Sequence, residues 1–283
     1  MGRQAIRKLV KRTPLLGYLA MKTMSRLRAA KRFAAEMRLT ARGGAGTQKY
    51  EFSRLDTGCC CVDGGEREFR QIQNLLNFTK TSNSIYAAHQ FPAAYHTIDI
   101  NGRKVVGQRD PARRLALVPF DFRGKTVLDL GCNQGGMVLQ LTGELKWAVG
   151  IDYDPRMINA ANRVKSAIKS VNTSFYVLDL QRGPLSLIDD FLPEERVDFC
   201  FMLSVCAWLK NWREVIDFAQ SRSESMLFET NGFPAQQQKQ IDYLRRRYRS
   251  VNLLAETSED DPTEKERRLY HLTEPIFVNF ASE

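Results

Sequence analysis

Two hydrophobic rhythms alternate along most of this chain. Short apolar runs at 127–130, 148–151, 174–178, 197–204 and 225–229 have strand length, and the fourth is so continuously apolar that it reads as buried on both faces. Between them, 157–168 and 212–219 carry apolar residues three and four apart, the spacing of an amphipathic helix. Runs at 251–254 and 268–272 fit a closing antiparallel pair. This alternation predicts a doubly wound α/β fold with a seven-stranded, mostly parallel sheet and helices on both faces.

Ahead of the sheet the pattern changes. Residues 66–76 predict a helix with Phe69, Ile72, Leu75 and Leu76 inward. Strands at 97–100 and 103–106 flank Asn101-Gly102, a pair suited to a two-residue type I′ hairpin turn. Asp110 has the character of a helix N-cap, with Pro111 at the first helical position and Leu115, Leu117 and Val118 facing the core. Earlier still, Leu16, Leu19, Ala20, Met24, Leu27, Ala34 and Met37 follow helical spacing among Arg and Lys, and Gly43-Gly44-Ala45-Gly46 predicts a flexible joint. The expected organisation is a basic amphipathic segment (1–42), an accessory helical and hairpin cap (43–110) and a cofactor-binding domain (111–283).

The first strand of the sheet runs into a glycine-rich turn, VLDLGCNQGG at 127–136. The second ends at Asp152, where an acidic side chain past the second strand of a βαβ unit accepts hydrogen bonds from a ribose. A dinucleotide loop has its middle glycine where this chain has Asn133, the non-glycine residue that best tolerates a left-handed backbone. An NAD-binding domain and an ordinary strand–helix turn without a ligand are the competing readings. Gly131, Asp152, Asp179 and Ser204 all fall at strand ends, where open α/β sheets bind ligands.

The pattern D-x-G-C-N-x-G-G resembles motif I of the class I S-adenosylmethionine (SAM) methyltransferases. With the preceding hairpin, Gln108 and Arg109, it is similar to a bacterial subgroup that includes enzymes of the tRNA wobble-uridine carboxymethyl-transfer type and polysaccharide-modifying methyltransferases. The resemblance implies SAM as cofactor. It implies that Asp129, Gly131, Cys132, Asn133 and Gly135 surround the cofactor's amino-acid arm and that Asp152 and Tyr153 flank its ribose. It further implies that Asp179 and Leu180 meet the adenine, and that Arg109 and Ser204 line the pocket.

Charge changes the picture only at one end. Residues 1–42 hold twelve Lys or Arg and one acidic residue, Glu36, while the whole chain has a formal charge of +10. The rest is therefore close to neutral, which argues against a catalytic surface that grips nucleic acid everywhere. The basic segment has three readings: an amphipathic anchor on an anionic membrane surface, a mitochondrial-type presequence, or a solvated helix that packs on its own domain or touches RNA phosphates. No run of about twenty apolar residues offers a membrane span. No secretory signal is evident, and Ile6 stands where a myristoylation site needs Ser or Thr. Without paired cysteine spacing the expectation is free thiols and a cytoplasmic enzyme, peripheral at the inner face of a membrane, with a mitochondrial location as alternative. The run Cys59-Cys60-Cys61 reads as a small apolar or loop segment, with lipidation or metal binding as alternatives, and no metal is expected at the site.

A sulfonium is already an excellent leaving group, so the protein's task is to align the acceptor, and a base helps only where the acceptor is a hydroxyl. The family's histidine after the fourth strand is missing: Ala207 and Trp208 stand there, and Trp208 is either a stacking surface or a core aromatic. His96 and Glu229 are the candidate bases. The expected reaction is SAM-dependent methylation of an oxygen or nitrogen on a small molecule or a cell-envelope glycan or lipid precursor. The alternatives are a tRNA-modifying transferase and a non-catalytic SAM-binding partner protein tethered to a membrane.

Overall fold

A computed structural model of the protein describes residues 64–81, 91–257 and 267–277. The basic segment, the glycine joint, His89 and the Cys59–Cys61 run lie outside the described residues. Helix α1 (Gly64–Thr79) buries Phe69, Ile72 and Leu76 and packs on the helix Pro155–Ala167 of the sheet domain. Strands β1 (Ile98–Ile100) and β2 (Arg103–Val105) form the expected hairpin, with Ile98 opposite Val105. Asn101 (φ 53°) and Gly102 (φ 85°) both adopt the left-handed backbone that a type I′ turn requires. Asp110 caps α2 (Pro111–Leu115), its side chain accepting from the Ala112 N–H at 3.0 Å.

The sheet domain then unfolds in order along the chain: β3 (Thr126–Leu130), α3 (Gly136–Gln140), β4 (Trp147–Asp152), α4 (Pro155–Ala167), β5 (Thr173–Val177), β6 (Val197–Leu203), α5 (Trp212–Arg222), β7 (Ser223–Glu229), α6 (Pro234–Leu244), β8 (Tyr248–Ala255) and β9 (Leu269–Pro275). Short 3-10 turns at Leu185–Phe191 and Cys206–Trp208 flank β6. The spatial strand order is β5-β4-β3-β6-β7-β9-β8. The first five pair in parallel, and β9 runs antiparallel to both β7 and β8. The order reverses between β3 and β6, so the loops after β3, β4 and β6 open onto one crevice.

Two apolar layers enclose the sheet. Val127, Ala148, Phe175, Phe199, Phe201 and Leu227 face the side covered by α1, α3 and α4. Leu128, Leu130, Val149, Ile151, Cys200, Met202, Met226 and Phe228 face the side covered by α5 and α6. Alternate residues of each strand therefore go to opposite faces, and both faces are apolar, as a covered parallel sheet demands.

Helix α6 has no counterpart in the sequence reading. Its inward face carries Gln237 and Gln240, both buried, beside Ile241, Tyr243 and Leu244. Polar side chains on the core face erase the apolar period by which an amphipathic helix is recognised.

Candidate active site

The carboxyl ends of β3, β4, β5, β6 and β7 define the rim. After β3, Gly131 (φ 82°), Asn133 (φ 52°) and Gly135 (φ 73°) are all left-handed. Asn133 thus takes the conformation expected where the family pattern has glycine. Gly131 is needed twice over, since a Cβ there would lie 2.6 Å from Val205 Cγ2. At the end of β4, the Asp152 carboxylate accepts from the Asn133 N–H and the Asp154 N–H, each at 2.9 Å, and so ties the glycine loop to the start of α4.

Asp152 and Asp129 are both buried. Burial pushes the Asp152 carboxyl up to about 6, against the opposing effect of its backbone hydrogen bonds. Asp129 is pushed up to about 7, first by burial and then by the charge of Asp152, with Arg114 acting in the opposite direction. Asp129 Oδ2 has no hydrogen-bond partner among the described residues. A buried carboxylate oxygen without a donor, beside a loop kept free of side-chain bulk, fits a ligand that brings its own cationic N–H group.

The remaining cofactor candidates have distinct settings. Cys132 is buried, and burial raises its thiol well above the ordinary range. Tyr153 is exposed beside Asp152. Asp179 accepts from the Gln181 N–H at 2.9 Å, and the Leu180 carbonyl accepts from Asn211 Nδ2 at 2.9 Å. Cys132, Cys200 and Cys206 are free and buried.

Glu229, Ser204 and Arg109 form one cluster, joined by two arginines that the sequence reading did not single out. Arg114 Nη2 donates to Glu229 Oε1 at 3.0 Å, and Arg109 Nη1 lies 3.9 Å from the same oxygen. The Ser204 hydroxyl donates to Glu229 Oε2, and Arg267 Nη1 donates to the Ser204 hydroxyl at 3.3 Å. All three guanidinium groups are buried. Arg114 is on α2 and Arg267 lies two residues ahead of β9, and nothing in their local sequence distinguishes them from surface arginines.

His96 is bridged through the backbone to Arg109 and packs against the glycine loop. A Cβ on Gly136 would lie 2.6 Å from His96 Cβ and Cγ, so the imidazole is buried against that glycine. Holding it there is Gln134, a fully buried loop residue that the motif treats as arbitrary. Gln134 Oε1 accepts from the His96 N–H at 3.1 Å, and Nε2 donates to Thr79 Oγ1 and to the Ala93 carbonyl, both at 2.9 Å. The cap is therefore hydrogen-bonded directly to the glycine loop.

Strand order, left-handed loop and acidic strand end define a class I methyltransferase fold with a cofactor cleft at its rim. The chain belongs to the methyltransferase domain family, whose model matches residues 106–258. It is similar to the U6 snRNA methylphosphate capping enzyme Amus of Drosophila melanogaster, with 34% identity over 103 residues covering 34% of this chain and 34% of that protein. It is also similar to the 7SK snRNA methylphosphate capping enzyme of Mus musculus, with 41% identity over 68 residues covering 21% of this chain and 10% of that one. The matches thus span about a third and a tenth of these relatives' lengths. Among solved structures, the N-terminal domain of EvdMO1, crystallised with SAH and D-fucose, superposes with a TM-score of 0.52 at 12% identity over 76% of this chain and all of that one. The protein is a SAM-dependent methyltransferase.

Proposed function

We propose that the acceptor is an oxygen of a terminal phosphate on RNA. SAM, when bound, supplies a methyl group on a sulfonium whose sulfur departs as a neutral thioether. In this reading Asp152 orients the ribose hydroxyls, the 131–135 loop leaves space for the amino-acid arm, and Asp129 Oδ2 accepts from the ammonium. Asp179 and the backbone at Leu180 edge the adenine.

The observation that carries the acceptor assignment is the cluster around Glu229. Both Glu229 oxygens are already hydrogen-bonded, and the groups that converge there are guanidiniums and a hydroxyl. A hydroxyl acceptor needs a base; an ionised phosphate does not, because its attacking oxygen already carries the electron pair and the charge. What it needs is positive charge and fixed donors, and arginine is the side chain suited to phosphate geometry. The two snRNA methylphosphate capping enzymes that the chain resembles support the same chemistry.

The test is methyl transfer from labelled SAM to a 5′-phosphorylated oligoribonucleotide and to the same oligonucleotide after phosphatase treatment. Label is expected in the first alone; equal labelling, or none, overturns the reading.

A second reading keeps a glycan or lipid precursor as acceptor, with His96 or Glu229 as base, and the basic segment 1–42 favours it by offering a membrane anchor. Flotation with anionic liposomes tests it: the full chain is expected to float and a chain beginning at Gly43 to stay behind. Identical behaviour of the two excludes the anchor.

A further inference from the structure

The helices α5 and α6 share an arginine cluster that takes no part in the contacts around Glu229. Helix α5 leaves the rim after β6, and its first residue, Trp212, packs edge-on against Tyr243 of α6 with the ring centroids 5.3 Å apart. The Arg213 guanidinium lies 4.3 Å from the Trp212 ring centroid and 5.6 Å from that of Tyr243. Just past the end of α6, Arg246 and Arg247 bring theirs to 5.6 Å and 4.8 Å from the same Tyr243 centroid. Three cations from two elements thus surround one ring, drawn there by the negative face of its quadrupole.

Asp217 neutralises one of the three. Its Oδ1 accepts from Arg247 Nε at 2.7 Å and its Oδ2 from Arg247 Nη2 at 3.1 Å, and the Tyr243 hydroxyl lies 2.7 Å from both oxygens. Arg213 and Arg246 are exposed and have no ion pair among the described residues. The carboxylates nearest in sequence do not serve them: Asp242 accepts from Gln238 Nε2 at 2.8 Å, and Glu214 pairs with neither. Like charges in water repel and separate. Here the rings hold two uncompensated guanidinium groups near each other, so an anion that bridges them gains both charges without the entropic cost of gathering two long side chains. A lipid surface fits poorly. Helices that lie on membranes present apolar side chains among their cations, whereas Tyr243 is buried, its hydroxyl is held by Asp217, and arginines lie over the rings. A phosphodiester backbone fits, because it offers a regular row of charges and guanidinium matches phosphate geometry.

We propose that Arg213 and Arg246, with Arg247 beside them, form a docking surface for the phosphate backbone of a single-stranded RNA. Because α5 starts at the rim, a strand whose terminal phosphate reacts there continues onto this face. That the docked strand is also the methyl acceptor rests on the RNA-phosphate reading above; that the surface binds RNA does not.

The experiment uses the full chain and two double variants: Arg213→Gln with Arg246→Gln removes the charges, and Arg213→Lys with Arg246→Lys keeps them. Fluorescence anisotropy across a salt series reads the binding of a single-stranded oligoribonucleotide with a 5′-hydroxyl end. The glutamine variant is expected to raise Kd by about tenfold or more and to make the slope of log affinity against log salt shallower by about 1.4, the loss of two phosphate contacts at about 0.7 each. The lysine variant should recover most of the affinity. Both variants should leave Kd for SAH, and KM for a 5′-phosphorylated dinucleotide with no downstream strand to dock, within about twofold of wild type. Unchanged RNA affinity and salt slope in the glutamine variant overturn the proposal. So does a lysine variant as weak as the glutamine one, since packing and not charge would then be lost. Loss of binding to phosphatidylserine vesicles with RNA binding intact makes the face a membrane surface and also overturns it. If the glutamine variant loses RNA while wild type transfers no methyl group to a phosphorylated end, the docking surface stands and the RNA-phosphate reading falls.

Discussion

Asp129 and Asp152 end neighbouring strands at the same glycine loop, and each is held above the ordinary carboxylate value of about 4. The sign of the consequence is set by which state keeps the protons. Between about pH 4 and pH 7 the folded form retains protons that the unfolded chain has lost, so this pair's contribution to stability is greatest below about 4 and is lost as pH rises to about 7. Ligand binding runs the other way. A cationic group at Asp129 favours the ionised carboxyl, so SAM affinity is expected to rise with pH through about 6 to 7, with proton release on binding; titration calorimetry in buffers of different ionisation enthalpy measures both. Gln134 is the other residue-scale case. Gln134→Leu removes three buried hydrogen bonds at once, those to Thr79 Oγ1, the Ala93 carbonyl and the His96 N–H, and a buried polar group left unsatisfied costs about 1–3 kcal/mol. A urea midpoint lowered accordingly, with weakened SAM binding, is the expected outcome.

Glycine loops separate local strain from site function at the scale of elements. Gly102 and Gly131 are both left-handed, but a Cβ on Gly102 meets nothing within 4 Å whereas one on Gly131 meets Val205 at 2.6 Å. Gly102→Ala is expected to cost about 1–2 kcal/mol of stability, the strain of a left-handed L-residue, and to leave SAM affinity unchanged. Gly131→Ala should lower SAM affinity by at least about tenfold, because the loop must move away from Val205 and out of register with Asp152. The hairpin and the loop were legible for the same reason: Asn-Gly and the spaced glycines are local backbone requirements written in single residues. Helix α6 was not, because its buried glutamines serve the 230–232 turn. The Thr230 hydroxyl donates to Gln237 Oε1 at 2.7 Å, and Gln237 Nε2 donates to the Gly232 carbonyl at 3.1 Å. That service appears only once β7 and α6 are side by side.

For the whole molecule, the cofactor is predicted to act as a stabilising ligand across the rim. SAH at about one hundred times its Kd should add about 2.7 kcal/mol to the free energy of unfolding, by mass action alone. Asp152→Ala is expected to abolish that increment, since it removes the proposed ribose acceptor and frees the Asn133 and Asp154 N–H groups together. Retained stabilisation in this variant would place the ribose elsewhere. The formal charge of +10 is concentrated in 1–42, so RNA held by that segment should be released steeply as salt rises, and RNA held at the rim through a few contacts should be released less steeply.

The sequence by itself determined the sheet, the glycine loop and the acidic strand end, because strand burial, left-handed turns and helix caps depend on residues within a few positions of one another. Only the tertiary structure decided the partners of Glu229. Arg109 and Arg114, from the cap loop and a short helix, meet on its carboxylate, and Arg267, from the approach to the last strand, reaches it through the Ser204 hydroxyl; that convergence depends on where the chain returns. The same holds for Gln134 and for the two glutamines of α6. A polar side chain turned inward carries no periodic signal, and its role is fixed by the donor or acceptor it finds across the fold.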